Sequence, residues 1–308
     1  MRVFVAGATG VLGQPTLKGL VAAGHEVRGS ARGEEKAALL RSLGATPVTT
    51  DLFDPASVRE GVAGCDGVVH LATKIPSLMR MRWKGGWKEN DRLRRDATRN
   101  LVDAALAAEA QVFVQESITF VYANGGDNWL DEEAPVALVW SPLESAIDAE
   151  REAKRFGESG GQAVILRFGL FYAPYAASTI DTVKLARRKM FGVIGDGKNY
   201  FSSIHVDDAA AAVVAALNAP SGTYNIVEDE PVPQSEYAQA LADAFGLGKP
   251  RHVPKWLGKL VAGGPSKYIL QSQRVSNRRF KEATGWAPKY LNVREGMKEV
   301  ASVMPGKK

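Results

Sequence analysis

The turn between the first predicted strand and the first predicted helix constrains the fold of this chain most strongly. Residues 6–13 read Ala-Gly-Ala-Thr-Gly-Val-Leu-Gly and directly follow an apolar run at residues 3–5. In this spacing, Gly7, Gly10 and Gly13 serve a tight turn, a close backbone approach to a pyrophosphate and close packing of helix on strand. The helix that opens here would direct its free N–H groups at the phosphates. The segment therefore predicts a dinucleotide site that includes Gly7, Thr9, Gly10, Val11, Leu12 and Gly13.

Length and composition agree with a protein of enzyme size. The 308 residues can form one large domain or two intimate ones. The single cysteine, Cys65, excludes an internal disulfide and favours a reducing compartment. No stretch approaches the ~20 apolar residues of a membrane span, and a strand begins at once, so we expect neither a signal nor a transit peptide. These features predict a cytoplasmic protein without membrane contact.

Basic residues concentrate after the fourth predicted strand, although the net charge of +5 is modest. The segment interleaves two tryptophans, Trp83 and Trp87, with Arg80, Arg82, Lys84, Lys88, Arg92, Arg94 and Arg95. Such a pattern suits nucleic acid. We favour a solvated helix face with its tryptophans on the packed side, and an anionic small substrate is a third interpretation. No nucleic-acid partner is predicted.

Strand and helix alternate along the first two thirds of the chain. We predict strands at 2–6, 25–30, 46–50, 67–71, 111–116 and 163–167. We predict helices between them at 11–23, 34–43, 55–63, 88–108 and 144–158. This interval favours a parallel sheet covered on both faces. The pattern loosens after residue 170, so we predict a dinucleotide-binding domain at 1–170, rejoined by a segment near 201–226, and a substrate-binding lobe at 171–308.

The end of the second strand indicates which dinucleotide is bound. An NAD site places a carboxylate there, roughly twenty residues after the glycines. The segment 25–32 ends instead with Ser30 and Arg32. A hydroxyl and a guanidinium suit the 2′-phosphate of NADP. We therefore expect NADP (as NADPH), with NAD less favoured. The alternative is that Arg32 merely pairs with Glu34 or Glu35.

Two further strand ends extend the predicted cofactor site. Asp51 and Leu52 close the third strand, where the carboxylate could accept a hydrogen bond from the adenine amino group. Leu71, Ala72 and Thr73 close the fourth strand and would run beside the nicotinamide half.

Further blocks support a family resemblance: Thr98-Arg99-Asn100-Leu101, Val121-Tyr122, residues 166–174, residues 204–209 and residues 285–288. Together with the glycine turn, they resemble the short-chain dehydrogenase/reductase superfamily in its extended and atypical branches, loosely called NAD-dependent epimerase/dehydratase proteins. The resemblance covers nearly the whole chain. It implies an α/β Rossmann fold, a doubly wound parallel sheet with a smaller C-terminal substrate-binding lobe. Related folds often dimerise through the helices at 88–108 and 144–158, so a homodimer is the oligomer that the resemblance allows.

The chain departs from this family at the catalytic positions. Members usually carry a Ser or Thr three residues before the Val-Tyr pair, where this chain has Ile118. They also use Tyr-x-x-x-Lys on the next helix; aligned on Glu150, those places hold Pro142 and Ala146. The supporting asparagine appears as Arg94. By this alignment the usual triad is absent.

Replacement groups must reach the nicotinamide face, because a reduction needs a polarised acceptor and a proton source. We predict Tyr122 as proton donor, Thr119 or Ser117 as its hydrogen-bond partner and Lys74 as an electrostatic helper. The alternatives are a wall residue for Tyr122, a surface charge for Lys74 and a backbone-capping hydroxyl for Ser117. No Cys/His spacing suggests a metal site.

Three functions stay open at this point. The first is an NADP-dependent oxidoreductase that reduces a carbonyl or an activated C=C bond of a small organic substrate. The second is a nucleotide-sugar epimerase or dehydratase, which the missing tyrosine and lysine disfavour. The third is a non-catalytic NADP-binding sensor or scaffold. The residues of the predicted lobe mix aromatic and basic types, which fits a hydrophobic carbonyl compound and a nucleotide conjugate equally well.

Overall fold

Strands and helices alternate in the order that the sequence predicts. The computed structural model describes residues 1–77 and 80–304. The strands are β1 (Arg2–Ala6), β2 (Glu26–Ala31), β3 (Thr46–Thr49), β4 (Gly67–His70), β5 (Val112–Ile118), β6 (Trp129–Leu130), β7 (Gln162–Phe168), β8 (Leu170–Tyr172), β9 (Gly192–Ile194), β10 (Tyr200–Phe201), β11 (Ser203–His205), β12 (Gly222–Ile226), β13 (Val232–Pro233), β14 (Arg251–Val253) and β15 (Arg274–Val275).

The helices follow the same alternation. They are α1 (Gly13–Ala22), α2 (Glu34–Ser42), α3 (Pro55–Val62), α4 (Lys88–Arg92), α5 (Thr98–Ala107), α6 (Glu144–Glu158), α7 (Ala177–Arg187), α8 (Val206–Ala216), α9 (Gln234–Ala244), α10 (Lys255–Ala262), α11 (Ser266–Ile269), α12 (Arg278–Thr284) and α13 (Val293–Val303). Short 3-10 turns lie at Lys84–Trp87, Thr119–Val121 and Ser141–Leu143, and a π turn lies at Leu93–Ala97.

Seven strands form one parallel sheet in the order β12-β7-β5-β4-β1-β2-β3. Every neighbouring pair in it is parallel. Because β1 is flanked by β2 and β4, the chain winds outward in both directions from it, and a crevice opens where the winding reverses. The predicted doubly wound parallel sheet is confirmed.

Alternation along β1 explains why helices cover both faces of the sheet. Val3 and Val5 face the side that holds Leu17 of α1, together with α2 and α8. Phe4 faces the opposite side, which α3, α5 and α6 cover, and Phe156 of α6 belongs to that second core. All five side chains are buried, and burying each contributes about 1.5–3 kcal/mol. The two cores hold the strand ends in fixed positions.

The predicted helix at 88–108 differs from the structure. It begins at Lys88 as predicted, but a π turn at Leu93–Ala97 separates α4 from α5. A π turn adds one residue to a helical turn and shifts the side chains that follow, which a regular apolar stripe does not reveal. The predicted start of a helix at residue 55 is confirmed for α3. Asp54 accepts the Ala56 N–H at the N-cap, and Pro55 occupies the first turn.

The two tryptophans of the basic segment behave differently from each other. Trp87 is buried and donates its indole N–H to the Met81 carbonyl, 3.0 Å away. Trp83 is 61 % exposed, so the expectation that both lie on the packed side is wrong for Trp83. Trp83 itself has an extended backbone and directly precedes the 3-10 turn, whereas the ring of Trp87 packs edge-to-face on Trp140.

A third core supports the later part of the chain. Val183 of α7, Leu241 of α9 and Met297 of α13 are buried together around Tyr172. The chain also returns to the large sheet, because β12 pairs with β7 and α8 packs on α1. The boundary predicted at residue 170 stays a prediction. Over the described ranges, no helix has both the length and the apolar character that crossing a membrane requires.

Candidate functional site

The turn after β1 leaves no room for side chains at its glycines. Gly7 has a φ of +82°, and a Cβ there would lie 2.6 Å from the Ala72 nitrogen and the Leu71 carbonyl carbon. A Cβ at Gly13 would overlap the Gly7 carbonyl oxygen. The Gly10 N–H donates to the same oxygen at 2.9 Å and closes the turn. The backbone of this turn is therefore bare, as close approach by a pyrophosphate requires.

The helix that follows begins two residues later than predicted. α1 starts at Gly13, so Val11 and Leu12 belong to the turn. Val11 is exposed, whereas Leu12 is buried in the core. The Thr9 carbonyl accepts a hydrogen bond from the Gln14 side chain at 3.1 Å, which ties the turn to the first residues of α1.

Ser30 and Arg32 lie beside this turn at the end of β2. The Ser30 hydroxyl accepts the Gly7 N–H at 3.3 Å. Arg32 is exposed, and among the residues that the structure describes no carboxylate lies within 4 Å of it. Glu34 instead pairs with Arg41 at 2.6 Å. The guanidinium of Arg32 is thus available to a ligand.

Hydrogen bonds and a cation–π contact fix the loop that follows β3. Asp51 accepts the Phe53 N–H at 3.0 Å, and the Asn100 side chain donates to the Leu52 carbonyl at 3.0 Å. The guanidinium of Arg92 lies 4.0 Å from the centre of the Phe53 ring. The segment predicted to face adenine is therefore tied to both α4 and α5.

A buried histidine shapes the segment after β4. The Ala72 N–H donates to Nδ1 of His70 at 3.3 Å, so the ring proton sits on Nε2 and is donated to the Leu93 carbonyl, 3.2 Å away. Burial lowers the pKa of His70 to about 4, so the ring is neutral near neutral pH. This ring joins the segment leading to Thr73, which is exposed, to the π turn.

The predicted cofactor residues therefore share one edge of the sheet. They follow β1, β2, β3 and β4, whose carboxyl ends are neighbours in the sheet order. The bare glycine turn, the unpaired Arg32 and the absence of a carboxylate at the end of β2 fit a dinucleotide with a 2′-phosphate.

Ser117, a predicted catalytic residue, is engaged elsewhere. Its hydroxyl donates to Glu150 of α6 at 2.6 Å. Arg167 of β7 donates to both oxygens of the same carboxylate, at 2.8 and 2.7 Å. All three side chains are buried. The serine thus faces α6 inside the protein.

Tyr122 belongs to the same buried group. It has no exposed surface, its hydroxyl donates to Asn225 at 2.8 Å, and the Arg167 guanidinium lies 4.9 Å from its ring centre. Burial raises the pKa of Tyr122 to about 12. Thr119, in the short turn after β5, is also buried. The proton-donor role stays a prediction, and this placement favours the wall alternative.

Lys74 lies apart from these residues. Its ammonium group pairs with Glu89 at 2.7 Å, and its side chain is 62 % exposed. Its backbone N–H donates to the buried side chain of Asn90 at 3.0 Å. The structure therefore does not bring the four predicted catalytic residues together.

Buried and apolar side chains occupy the positions that the sequence analysis aligns with the family's catalytic groups. Pro142 and Ala146 are buried, and Ile118 packs on a set of rings. The ring centres lie 5.0–5.8 Å apart in edge-to-face, tilted and stacked contacts. We call this set the aromatic cluster: Trp87, Phe120, Trp140 and Tyr268. In the sequence, only the position of Trp140 two residues before Pro142 indicated that it lies near this region. No local pattern in α11 indicated that Tyr268 packs here.

A buried ion pair beside this region was also not predicted from the sequence. Arg94 donates through Nη2 to both carboxylate oxygens of Glu116, at 3.0 and 3.2 Å. The two side chains are 1 % and 8 % exposed. Nε and Nη1 of Arg94 form no hydrogen bond with any residue of 1–77 or 80–304. The pair ties the π turn to the end of β5, at the position that the sequence analysis aligns with the supporting asparagine of the family.

A cavity of about 660 Å³ adjoins the aromatic cluster. It is bounded by the loop after β9, by α10 and by α11, and Val139 belongs to both its wall and the packing around the cluster. The lining residues are Asn124, Val139, Ile194, Asp196, Asn199, Lys255, Lys259, Ser266, Lys267, Leu270 and Gln271. This cavity is the candidate substrate site.

Known proteins resemble this chain over almost its full length. A reductase of Streptomyces sp., 3-diazoavenalumate denitrifying reductase, is 32% identical over 315 residues, covering 96% of this chain and 99% of that protein. The mouse (Mus musculus) epimerase family protein SDR39U1 is 26% identical, covering 98% of this chain and 100% of that protein.

A solved structure agrees with these relatives. The crystal structure of human epimerase family protein SDR39U1 (isoform 2) with NADPH superposes with a TM-score of 0.83 at 25% identity, covering 98% of this chain and 100% of that chain. The model of the NAD dependent epimerase/dehydratase family matches residues 3–227, which include the glycine turn and the whole parallel sheet. The chain therefore belongs to the NAD dependent epimerase/dehydratase family.

Proposed function

We propose that this protein is an NADP-dependent oxidoreductase that reduces a carbonyl group or an activated C=C bond of a small organic substrate. One observation carries the proposal. Ile118, Pro142 and Ala146, which stand in the predicted places of the catalytic hydroxyl, tyrosine and lysine, have no ionisable side chain; Pro142 and Ala146 are buried, and Ile118 packs on the aromatic cluster.

The missing base separates reduction from epimerisation. Transient oxidation of an alcohol needs a base that removes the hydroxyl proton. Tyr122 is not available as a base near neutral pH, because burial raises its pKa to about 12 and keeps its hydroxyl protonated, and Ser117 is committed to Glu150. Reduction of a conjugated bond places less demand on a strong acid or base. The residues present thus support reduction better than epimerisation.

The cofactor side supports NADPH as reductant. Arg32 and Ser30 offer a guanidinium and a hydroxyl to a 2′-phosphate, and the bare turn offers backbone N–H groups to the pyrophosphate. When bound, NADPH supplies the hydride. The Streptomyces relative is named as a reductase and the human relative was crystallised with NADPH, which supports the same chemistry here.

The chain's own residues then orient and shield the acceptor. The ring of His70 fixes the backbone at Ala72, beside the expected nicotinamide position. Ile118 and the aromatic cluster form an apolar wall that excludes water from one side of the acceptor. Orientation of this kind can lower a barrier by several kcal/mol. The open cavity admits water that can supply the final proton.

The test uses NADPH that carries deuterium at its transferable position, with a panel of ketones and enones. The proposal predicts one deuterium on carbon in the product and one equivalent of NADP⁺ released per turnover. Isomerised substrate with cofactor retained in oxidised form would contradict it. Gly7→Ala should abolish turnover, because its Cβ overlaps the Ala72 backbone. Gly24→Ala, with a φ of +81° in open space, controls for backbone strain.

A non-catalytic NADP-binding protein is the second candidate. The observation in its favour is that Ser117, Tyr122 and Lys74 are all engaged by other residues. NADPH binding without turnover of any compound in the panel would support this candidate over the reductase.

A further inference from the structure

Three lysines converge on the cavity beside the aromatic cluster. Lys255 and Lys259 lie one turn apart on α10, and Lys267 lies on α11 next to Tyr268. Within the described part of the chain, no carboxylate lies within 4 Å of any of the three ammonium groups, whereas other lysines are paired: Lys74 with Glu89, Lys184 with Asp181 and Lys281 with Asp229.

One acidic residue, Asp196, lines the same cavity in the described structure. Its carboxylate accepts the Lys198 N–H at 3.4 Å. That hydrogen bond, with a smaller contribution from Lys255, lowers the pKa of Asp196, so it is ionised near neutral pH. The three lysines still outnumber this single carboxylate. A recess whose charge is mainly of one sign concentrates ions of the other sign.

The position of Lys255 is set by the neighbouring turn. Gly195 has a φ of +75°, and a Cβ there would lie 2.6 Å from Cε of Lys255. The aliphatic part of this lysine therefore lies across the turn after β9. Apart from Asp196 and the lysines, the polar lining residues are neutral; among them, the side-chain oxygen of Asn124 accepts the Ser272 N–H at 2.7 Å.

Apolar side chains also line the cavity. Val139 and Leu270 are among them, and Val139 packs against the cluster that also covers Ile118 at the end of β5. The volume of about 660 Å³ falls within the roughly 300–1,000 Å³ of small-molecule sites. A ligand here would meet both ammonium groups and apolar side chains.

We propose that the cavity binds a small organic substrate that carries a carboxylate, which lies among Lys255, Lys259 and Lys267, while the apolar part of the molecule packs against Val139 and Leu270. This inference rests on the proposed reductase, for which it names the substrate class. Charge-assisted hydrogen bonds would hold the carboxylate, and burial of apolar surface would hold the rest of the molecule.

The test is calorimetric titration of the full chain, saturated with NADP⁺, with cinnamate, 4-hydroxycinnamate and hexanoate, each beside its neutral amide, and with UDP. The two aromatic acids should bind at least ~tenfold more tightly than their amides, a difference of about 1.4 kcal/mol. Hexanoate should show the same preference for acid over amide, because the lysines would recognise its carboxylate.

Two triple variants sharpen the result. Replacing Lys255, Lys259 and Lys267 by Gln should remove the preference for acid over amide while NADPH affinity is retained. The matched control replaces Lys18, Lys154 and Lys298, three exposed lysines outside the cavity lining, by Gln and should keep the preference.

Several outcomes would overturn the inference. It fails if no acid binds more tightly than its amide, if the preference survives in the first triple variant, or if UDP binds more tightly than both aromatic acids. Binding and turnover are read separately. Lysine-dependent acid binding without NADPH consumption would contradict the proposed reductase and still support the anion site.

Discussion

Arg32 is the residue on which the cofactor assignment depends most. Its guanidinium is exposed at the end of β2 and has no acidic partner within 4 Å in the described ranges, while Ser30 accepts a hydrogen bond from the glycine turn at 3.3 Å. Both groups stand where an NAD site would carry a carboxylate. Arg28, four residues before Arg32, donates to the Ala63 carbonyl at 3.0 Å and is already occupied.

Arg32→Ala should therefore weaken NADPH binding at least ~tenfold, about 1.4 kcal/mol, because a charge-assisted contact to the 2′-phosphate is lost. NADH binding should be unchanged, since it has no such phosphate. Arg28→Ala is the matched control and should leave both affinities intact. Equal losses for NADPH and NADH in Arg32→Ala would show that the residue acts on the fold. Calorimetric titration measures all four values.

Tyr122→Phe tests the other residue-scale question. The variant leaves the buried Asn225 carbonyl without its donor, which should lower the free energy of unfolding by about 1–3 kcal/mol. We expect turnover to stay nearly unchanged, because the hydroxyl is buried away from the cavity lining. A loss of turnover of ~100-fold or more would instead restore Tyr122 as proton donor. Tyr224→Phe, which loses a hydrogen bond to Pro220, controls for general effects.

At the scale of elements, the π turn between α4 and α5 is the feature that departs from a regular fold. It places Arg94 in the protein interior, where Glu116 of β5 is its partner. His70 of β4 is bonded to the carbonyl of Leu93 in the same turn. The π turn thus links the ends of β4 and β5, between which the nicotinamide and substrate are expected.

Breaking this pair should be costly. Glu116→Gln leaves the Arg94 charge buried without a counter-charge, which should lower the free energy of unfolding by about 3–5 kcal/mol. The double variant Arg94→Met with Glu116→Gln should recover most of that loss, because no charge stays buried. Urea unfolding of both single variants and of the double variant measures the coupling. Additive losses would contradict a direct pair.

The sequence predicted the elements whose signals are local. The glycine turn, the strand predicted at 2–6 and the helix start predicted at residue 55 each depend on a few adjacent residues, and the structure has them in place. The π turn was not predictable, because its apolar spacing resembles that of a regular helix. The contact of Trp140 with Tyr268 was not predictable either, because it depends on how α11 folds back over the end of β5.

At the scale of the whole molecule, a buried carboxylate joins the parallel sheet to the later part of the chain. Glu228, just after β12, accepts hydrogen bonds from the hydroxyls of Tyr172 and Ser203, on β8 and β11. Burial raises the pKa of Glu228 to about 7. The folded protein therefore holds the proton of this group more tightly than the unfolded chain does.

This raised pKa makes the stability of the molecule depend on pH. A raised pKa contributes stability that is fully present below the unfolded value of about 4.5 and is lost as pH rises through about 7. Glu228→Gln removes that loss. Its free energy of unfolding relative to wild type should therefore increase from pH 5 to pH 8 by an amount on the order of 1 kcal/mol or more. Thermal unfolding at both values measures it, and a difference that stays constant with pH would contradict the assignment.

In the proposed function, NADPH is the reductant, and it exchanges freely at an active site that lacks the usual catalytic triad. The most direct test is calorimetric titration of the wild-type protein, checked to be free of bound nucleotide, with NADPH and then with NADH. We predict micromolar binding of NADPH, with NADH at least ~tenfold weaker, about 1.4 kcal/mol. Equal or tighter binding of NADH would contradict the assignment of NADP as cofactor. Failure of both dinucleotides to bind would contradict the proposal that the protein is an oxidoreductase.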